Sequence, residues 1–177
     1  MYFEQIGKIT ADHLRTHIKD YLEEVNGAFT AGDRILLTNP QSIEVASEVS
    51  GLLDEFLAAL PAYTVDVLTK DLFQADEDLN TYQYVGHIAG LVSSQSQQSV
   101  DKLVKRHAAA CELFLKRHTW AGQSTGYPFT ILNTLFGNAT LSGAEKIDEV
   151  GDRDIWLASF VLNLIWIVSE DSWAQHG

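Results

Sequence analysis

The chain has 177 residues, 46% of them hydrophobic and 20% charged, a balance that supports one sizeable core and argues against disorder. A single Cys excludes an intrachain disulfide framework and a Cys-rich zinc module. A net charge of −12 argues against a general DNA or RNA binder, because such binding rests on Lys and Arg neutralising phosphates.

The opening residues, MYFEQIGKIT, lack a cationic start followed by an apolar run, so they do not read as a secretory signal. The longest uncharged apolar-rich run, residues 155–168, is 14 residues long, whereas a membrane-spanning helix needs about 20. The default expectation is a soluble protein made in a cytoplasm, with no membrane partner. Charge is unevenly spread: residues 1–80 carry −10, residues 97–118 carry +3 and residues 119–177 carry −5. One basic segment therefore sits in an acidic chain.

In chain order, residues 10–25 read as a helix, with Leu14, Ile18, Tyr21, Leu22 and Val25 at helical spacing and Asn26-Gly27 as its stop. Residues 27–38 read as a loop or short strand. A second helix is expected over 40–59, capped by Asn39, opened by Pro40 and ended by Pro61; Val45, Val49, Leu52, Leu53, Phe56 and Leu57 form its stripe. Residues 62–69 alternate, with Tyr63, Val65 and Val67 on one face, as a strand does. About a dozen residues rich in acid follow as a connection. Residues 82–93 read as the next strand, in which Gly86 and Gly90 leave flat ground for another element, with Ala108, Ala109 and Ala110 as candidates to approach it. A third, basic helix begins near Ser96 or Ser99, with Val100, Leu103, Val104, His107, Cys111, Phe114 and Leu115 on its apolar side. Residues 119–150 hold short strands near 129–135 and 145–150. The last strand, 155–168, is apolar at every even position, and its odd face is apolar apart from Ser159 and Asn163, so it needs cover on both faces or a partner subunit. The order predicts an α+β fold: a small antiparallel or mixed sheet with helices on one face, residues 1–39 forming an N-terminal helix and arm and 40–177 a single domain.

Four constellations invite a chemical reading. Gly122-Gln123-Ser124-Thr125-Gly126 matches G-x-S-x-G, with Asp148, Asp152, Asp154 and His176 downstream in the order of a serine hydrolase. That elbow needs a strand before the Ser and a helix after it; here a helix precedes and Pro128 follows, so an ordinary Gly/Ser loop is the plainer reading. His13 and His17 stand four apart, a spacing that can place two imidazoles on one metal, but further ligands are lacking and two surface histidines are the plainer reading. His107 and Cys111 are also four apart, on the apolar stripe, and read as core residues. Asp71, Asp76, Glu77 and Asp78 form an acidic group without the glycine and glutamate spacing of an EF-hand loop. No catalytic residue, metal ligand or cofactor is assigned.

Taken together, residues 40–170 resemble the tail-terminator (tail-to-head joining) proteins of long-tailed bacteriophages. The likeness lies in a leading helix ended by Pro61, two strands at 63–69 and 82–93 joined by an acidic loop, one amphipathic helix at 97–118, and a late strand introduced by Gly151-Asp152-Arg153-Asp154. The resemblance implies a structural virion protein assembled in the host cytoplasm. It implies a homo-oligomeric ring, a hexamer, that ends the tail tube and meets a tail tube protein and a head-completion or neck protein. DNA would pass through without specific binding, and no cofactor is needed. Under this reading Asp71, Asp76, Glu77, Asp78, Lys102, Lys105, Arg106, Trp156 and Trp166 face the lumen or a subunit junction. Two alternatives stand beside it: a small serine hydrolase using Ser124 and His176, and a cytoplasmic acidic binding or adaptor protein.

Overall fold

The computed structural model describes residues 2–46, 60–75, 79–120, 126–150 and 153–171. Among the described residues two helices and seven strands follow one another as α1 (Phe3–Gly27), β1 (Ser42–Val45), β2 (Ala62–Ala75), β3 (Leu79–Ser94), α2 (Gln97–Arg117), β4 (Phe129–Phe136), β5 (Thr140–Leu141), β6 (Glu145–Val150) and β7 (Arg153–Asp171). The fold is α+β, as the periodicities predict. Neither helix is long and apolar enough to cross a membrane.

The sheet is built around β7. One edge of β7 pairs with β3 over sixteen consecutive positions, from Ser94 opposite Trp156 to Leu79 opposite Asp171. Its other edge is shared in turn by β4, β5 and β6, all antiparallel. β2 pairs antiparallel with β3, and β1 adds parallel to β2, so the sheet is mixed. Register shifts interrupt the ladders at 67/69, 72/74, 131/133 and 146/148. Such bulges bend and twist a sheet, and here they curl it.

Both helices lie on the face formed by Tyr84, Ile88 and Val92 of β3 and Phe160, Leu162, Leu164 and Trp166 of β7. α1 buries Ile6, Gly7, Thr10, Ala11, Leu14, Ile18 and Leu22, a stripe at three- and four-residue spacing. α2 buries Val100, Leu103, Val104, His107, Cys111 and Phe114. Ser96 caps α2, its hydroxyl accepting from the Ser99 amide at 3.1 Å. Buried polar groups are paired across elements: the Trp166 indole donates to the Thr10 hydroxyl at 3.0 Å, and the Trp120 indole to the Thr134 hydroxyl at 3.2 Å.

Three expectations change. Residues 42–45 are a strand, not the start of a helix: Ile43 and Val45 alternate inward against α1, and β-branched residues at period two fit the parallel edge of β2. The remainder of the expected second helix, 47–59, lies outside the described residues. The acidic connection is mostly strand, because β2 runs on to Ala75 and β3 starts at Leu79, so Asp71 stands opposite Gln83 inside a ladder. The late strand is interior to the sheet, with β3 on one edge and β4, β5 and β6 on the other.

Gly86 and Gly90 do permit close approach, but not by the alanines of α2. A Cβ on Gly86 would lie 1.9 Å from the Asp66 carbonyl oxygen, and one on Gly90 would lie 2.1 Å from the Phe160 ring. The space is taken by the β2 backbone and by an aromatic side chain of β7.

Candidate functional site

The face of the sheet turned away from the helices has no covering layer among the described residues. It presents Val85, Ala89 and Leu91 of β3, Leu157, Val161, Ile165 and Ile167 of β7, and Leu135 of β4, with Gln83, His87 and Asn163 between them. Leu135 is 49% exposed and its neighbour Leu132 is 46% exposed. A shallow depression of about 340 Å³, lined by Val85, Leu135, Phe136, Gly137, Asn163, Leu164 and Ile165, opens there. Contiguous apolar surface of this kind on a sheet marks a place where another surface belongs.

The second exposed feature is the far part of the β2–β3 hairpin. Leu68, Leu72 and Phe73 are each more than half exposed, and Asp71 stands among them without an ion-pair partner among the described residues. The base of this hairpin is fixed. Glu170 of β7 is buried and receives Lys70 at 2.8 Å and the Tyr84 hydroxyl, while Lys70 also lies over the Tyr82 ring at 3.7 Å. Burial and the neighbouring Glu170 carboxylate push the Tyr84 hydroxyl well above its ordinary range, so it stays a donor. A buried carboxylate paired with one Lys and one Tyr holds β2 and β3 in register against β7.

The third feature is a depression of about 320 Å³ between the end of α1 and the first half of α2, lined by Val25, Phe29, Lys102, Lys105, Arg106 and Ala109. Lys105 is exposed and Lys102 half-buried, whereas Arg106 is 6% exposed and lies against the face of Phe29. One guanidinium nitrogen of Arg106, Nη2, donates to the Asp33 carbonyl at 3.2 Å; Nη1 is buried with no partner among the described residues.

These placements sort the residues singled out in the sequence. Lys102, Lys105 and Arg106 come together on one pocket. Asp71 lies on the hairpin, apart from them. Asp76, Glu77 and Asp78 lie outside the described residues, as do Ser124 and His176. Trp156 is partly buried at the Ser94 end of β7, at the rim of the core. Trp166 is fully buried inside the subunit, bonded to Thr10, and cannot face a neighbour; its even-numbered face is the one the helices cover. Sequence reasoning passed over Leu72, Phe73 and Phe29, and read Val25 only as part of a helical stripe. The signal for the first two was an apolar pair set between acidic residues; for Phe29, an aromatic in a polar loop.

Two histidine groups carry no such surface. His107 Nδ1 shares a hydrogen bond with the Tyr63 hydroxyl and the residue is wholly buried, with no partner for Nε2 among the described residues; burial lowers its pKa to about 4. Cys111, also buried, has its thiol pushed upward by burial and is not a nucleophile at neutral pH. His13 and His17 are not simple surface residues, because His118 joins them. His13 Nδ1 and His118 Nε2 are 2.7 Å apart, the His17 ring is centred 5.6 Å from that of His118, and Phe114 and Trp120 pack around them. Burial, then the neighbouring His13 and His17, lowers the His118 pKa to about 4. Among the described residues no three His, Cys, Asp or Glu side chains are arranged to hold a metal ion.

No protein-family model matches the chain, and no curated protein sequence matches it. Among solved structures it is similar to a chain of the virion of a native gene transfer agent particle, with 11% identity, 87% of this chain and 94% of that chain covered, and a TM-score of 0.38. A likeness of that degree carries no argument about what this chain does.

Proposed function

We propose that the chain is a structural, non-catalytic subunit of a tailed-phage virion that assembles with copies of itself into a ring joining the tail tube to the head. The observation that carries the proposal is the sheet: among the described residues one face holds two helices and a full core, while the other is apolar and has no covering layer. A subunit built for assembly buries such a face against its neighbours. The acidity fits the same role, because carboxylates along a channel repel phosphates and leave DNA free to pass. The sequence resemblance to tail terminators supplies the position at the head–tail junction and the six-fold count. Its surviving features are the paired strands β2 and β3, the single amphipathic helix α2 behind them and the late strand β7.

The test uses particles. Gold-labelled antibody against the chain, applied to virions from the strain that encodes it, is expected to mark the head–tail junction in electron micrographs. Particles free of the chain, or label spread over capsid or tail fibres, would contradict the placement.

A further inference from the structure

We propose that the pocket formed by Val25, Phe29, Lys102, Lys105, Arg106 and Ala109 is the receiving half of a head-to-tail subunit contact, and that its occupant is the β2–β3 hairpin of a second copy, entering with Asp71, Leu72 and Phe73. The inference rests on the assembly reading above and names the surfaces that make the contact.

The pocket asks for an anion with an apolar body. Arg106 Nη1 is buried and unpartnered, and Lys102 and Lys105 make no ion pair among the described residues. A buried donor without an acceptor is costly, and a carboxylate satisfies it with a charge-assisted bond. The wall beside it is Val25, Phe29 and Ala109, with Phe29 42% exposed. A free inorganic anion would use the cations and leave that wall bare. An acidic side chain flanked by apolar neighbours uses both.

The hairpin has that composition. Asp71 is exposed and without an ion-pair partner among the described residues, next to Leu72 at 59% exposure and Phe73 at 55%. Charge complementarity points to the same partner: the basic pocket lies in a chain of −12, whose own acidic elements are the nearest supply of carboxylate.

The two halves cannot meet within one chain. α2 touches the sheet where Tyr63 bonds His107, and Tyr63 stands opposite Gly90 of β3. Leu72 stands opposite Tyr82, eight residues further along the same strand, or about 26 Å at the rise of a β-strand. An exposed strand segment at one end and a pocket at the other make a heterologous contact, in which each subunit offers its hairpin to one neighbour and its pocket to the next. Repetition of such a contact closes into a ring when the rotation permits.

Two variants test this, both altered at positions that are exposed or at the pocket rim, and both checked by circular dichroism. The first, D71K/L72S/F73S, keeps the pocket and loses the hairpin contact. The second, K102E/K105E, keeps the hairpin and loses the pocket; Lys102→Gln/Lys105→Gln replaces it if the double charge reversal fails to fold. Light scattering at about 100 µM chain reads association with Kd in the micromolar range. Wild-type chain is expected to give the larger oligomer, each variant alone a monomer, and an equal mixture a 1:1 heterodimer and nothing larger. Only one good hairpin and one good pocket remain in that mixture. If both variants assemble as the wild type does, the contact lies elsewhere and this inference fails while the ring reading stands. Variants that are monomeric alone and do not pair when mixed also overturn it. A wild-type monomer at that concentration overturns this inference and counts against the ring reading as well.

Discussion

Gly86 and Gly90 show how far single residues set the sheet. At Gly86 a Cβ would meet a backbone carbonyl, which cannot move without breaking the β2–β3 ladder; at Gly90 it would meet an aromatic ring, which can turn aside at a cost. Gly90→Ala is therefore expected to destabilise by about 1–3 kcal/mol and Gly86→Ala by more. Urea unfolding of both variants checks the order; equal effects would mean the bulge at 67/69 absorbs the added methyl. His107 supplies a pH dependence. Its folded pKa of about 4 lies below its unfolded value, so the unfolded chain binds the proton first as pH falls. Stability is then complete above about pH 6.5 and is lost as pH falls toward 4, by at most about 3 kcal/mol from this residue. Comparing unfolding free energies at pH 7 and pH 4.5, His107→Gln is expected to show a shallower loss than the wild type; an unchanged loss would place the sensitivity in His13 and His118.

At the scale of elements, the buried Glu170 ties the hairpin to β7. Lys70→Met leaves that carboxylate with only the Tyr84 hydroxyl, at an expected cost of about 3–5 kcal/mol, whereas removing both charges in K70M/E170L should recover most of it. Thermal melts of the single and double variants make the comparison, and a neutral Lys70→Met would show Glu170 to be protonated or hydrated. Leu103→Ala on α2 should cost about 2–5 kcal/mol, as its position under the helix implies.

The same scale shows what the sequence could disclose. α2 and β7 were legible because their apolar periods run over many residues. β1 was not, because Val45 belongs equally to a helical stripe and to a four-residue alternation. The length of the hairpin was hidden because 71–75 is exposed on every residue and so has no buried face to alternate against. β7 is apolar on both sides, so alternation alone could not say that Trp166 faces the helices rather than a neighbour; that depends on Thr10, more than 150 residues away. The basic residues of the pocket were visible on α2, but its apolar wall comes from the end of α1 and the loop after it.

On the whole-molecule scale the described residues place helices and core on one side of the sheet and an apolar face without a covering layer on the other, with the exposed end of β2 far from the basic pocket. Surface ion pairs such as Arg117 with Glu24 tie the helices together but are half exposed and contribute little. Contacts between copies that use Asp71 and the pocket lysines should weaken as the Debye length falls from about 10 Å at 0.1 M salt to about 3 Å at 1 M. Contacts through the apolar face should not. The central claim is that the chain assembles with further copies of itself, and native mass spectrometry of the purified wild-type protein tests it most directly. The account predicts a closed species with the mass of six 19.7-kDa chains; a monomer at every concentration, with the sheet face left open, would contradict it.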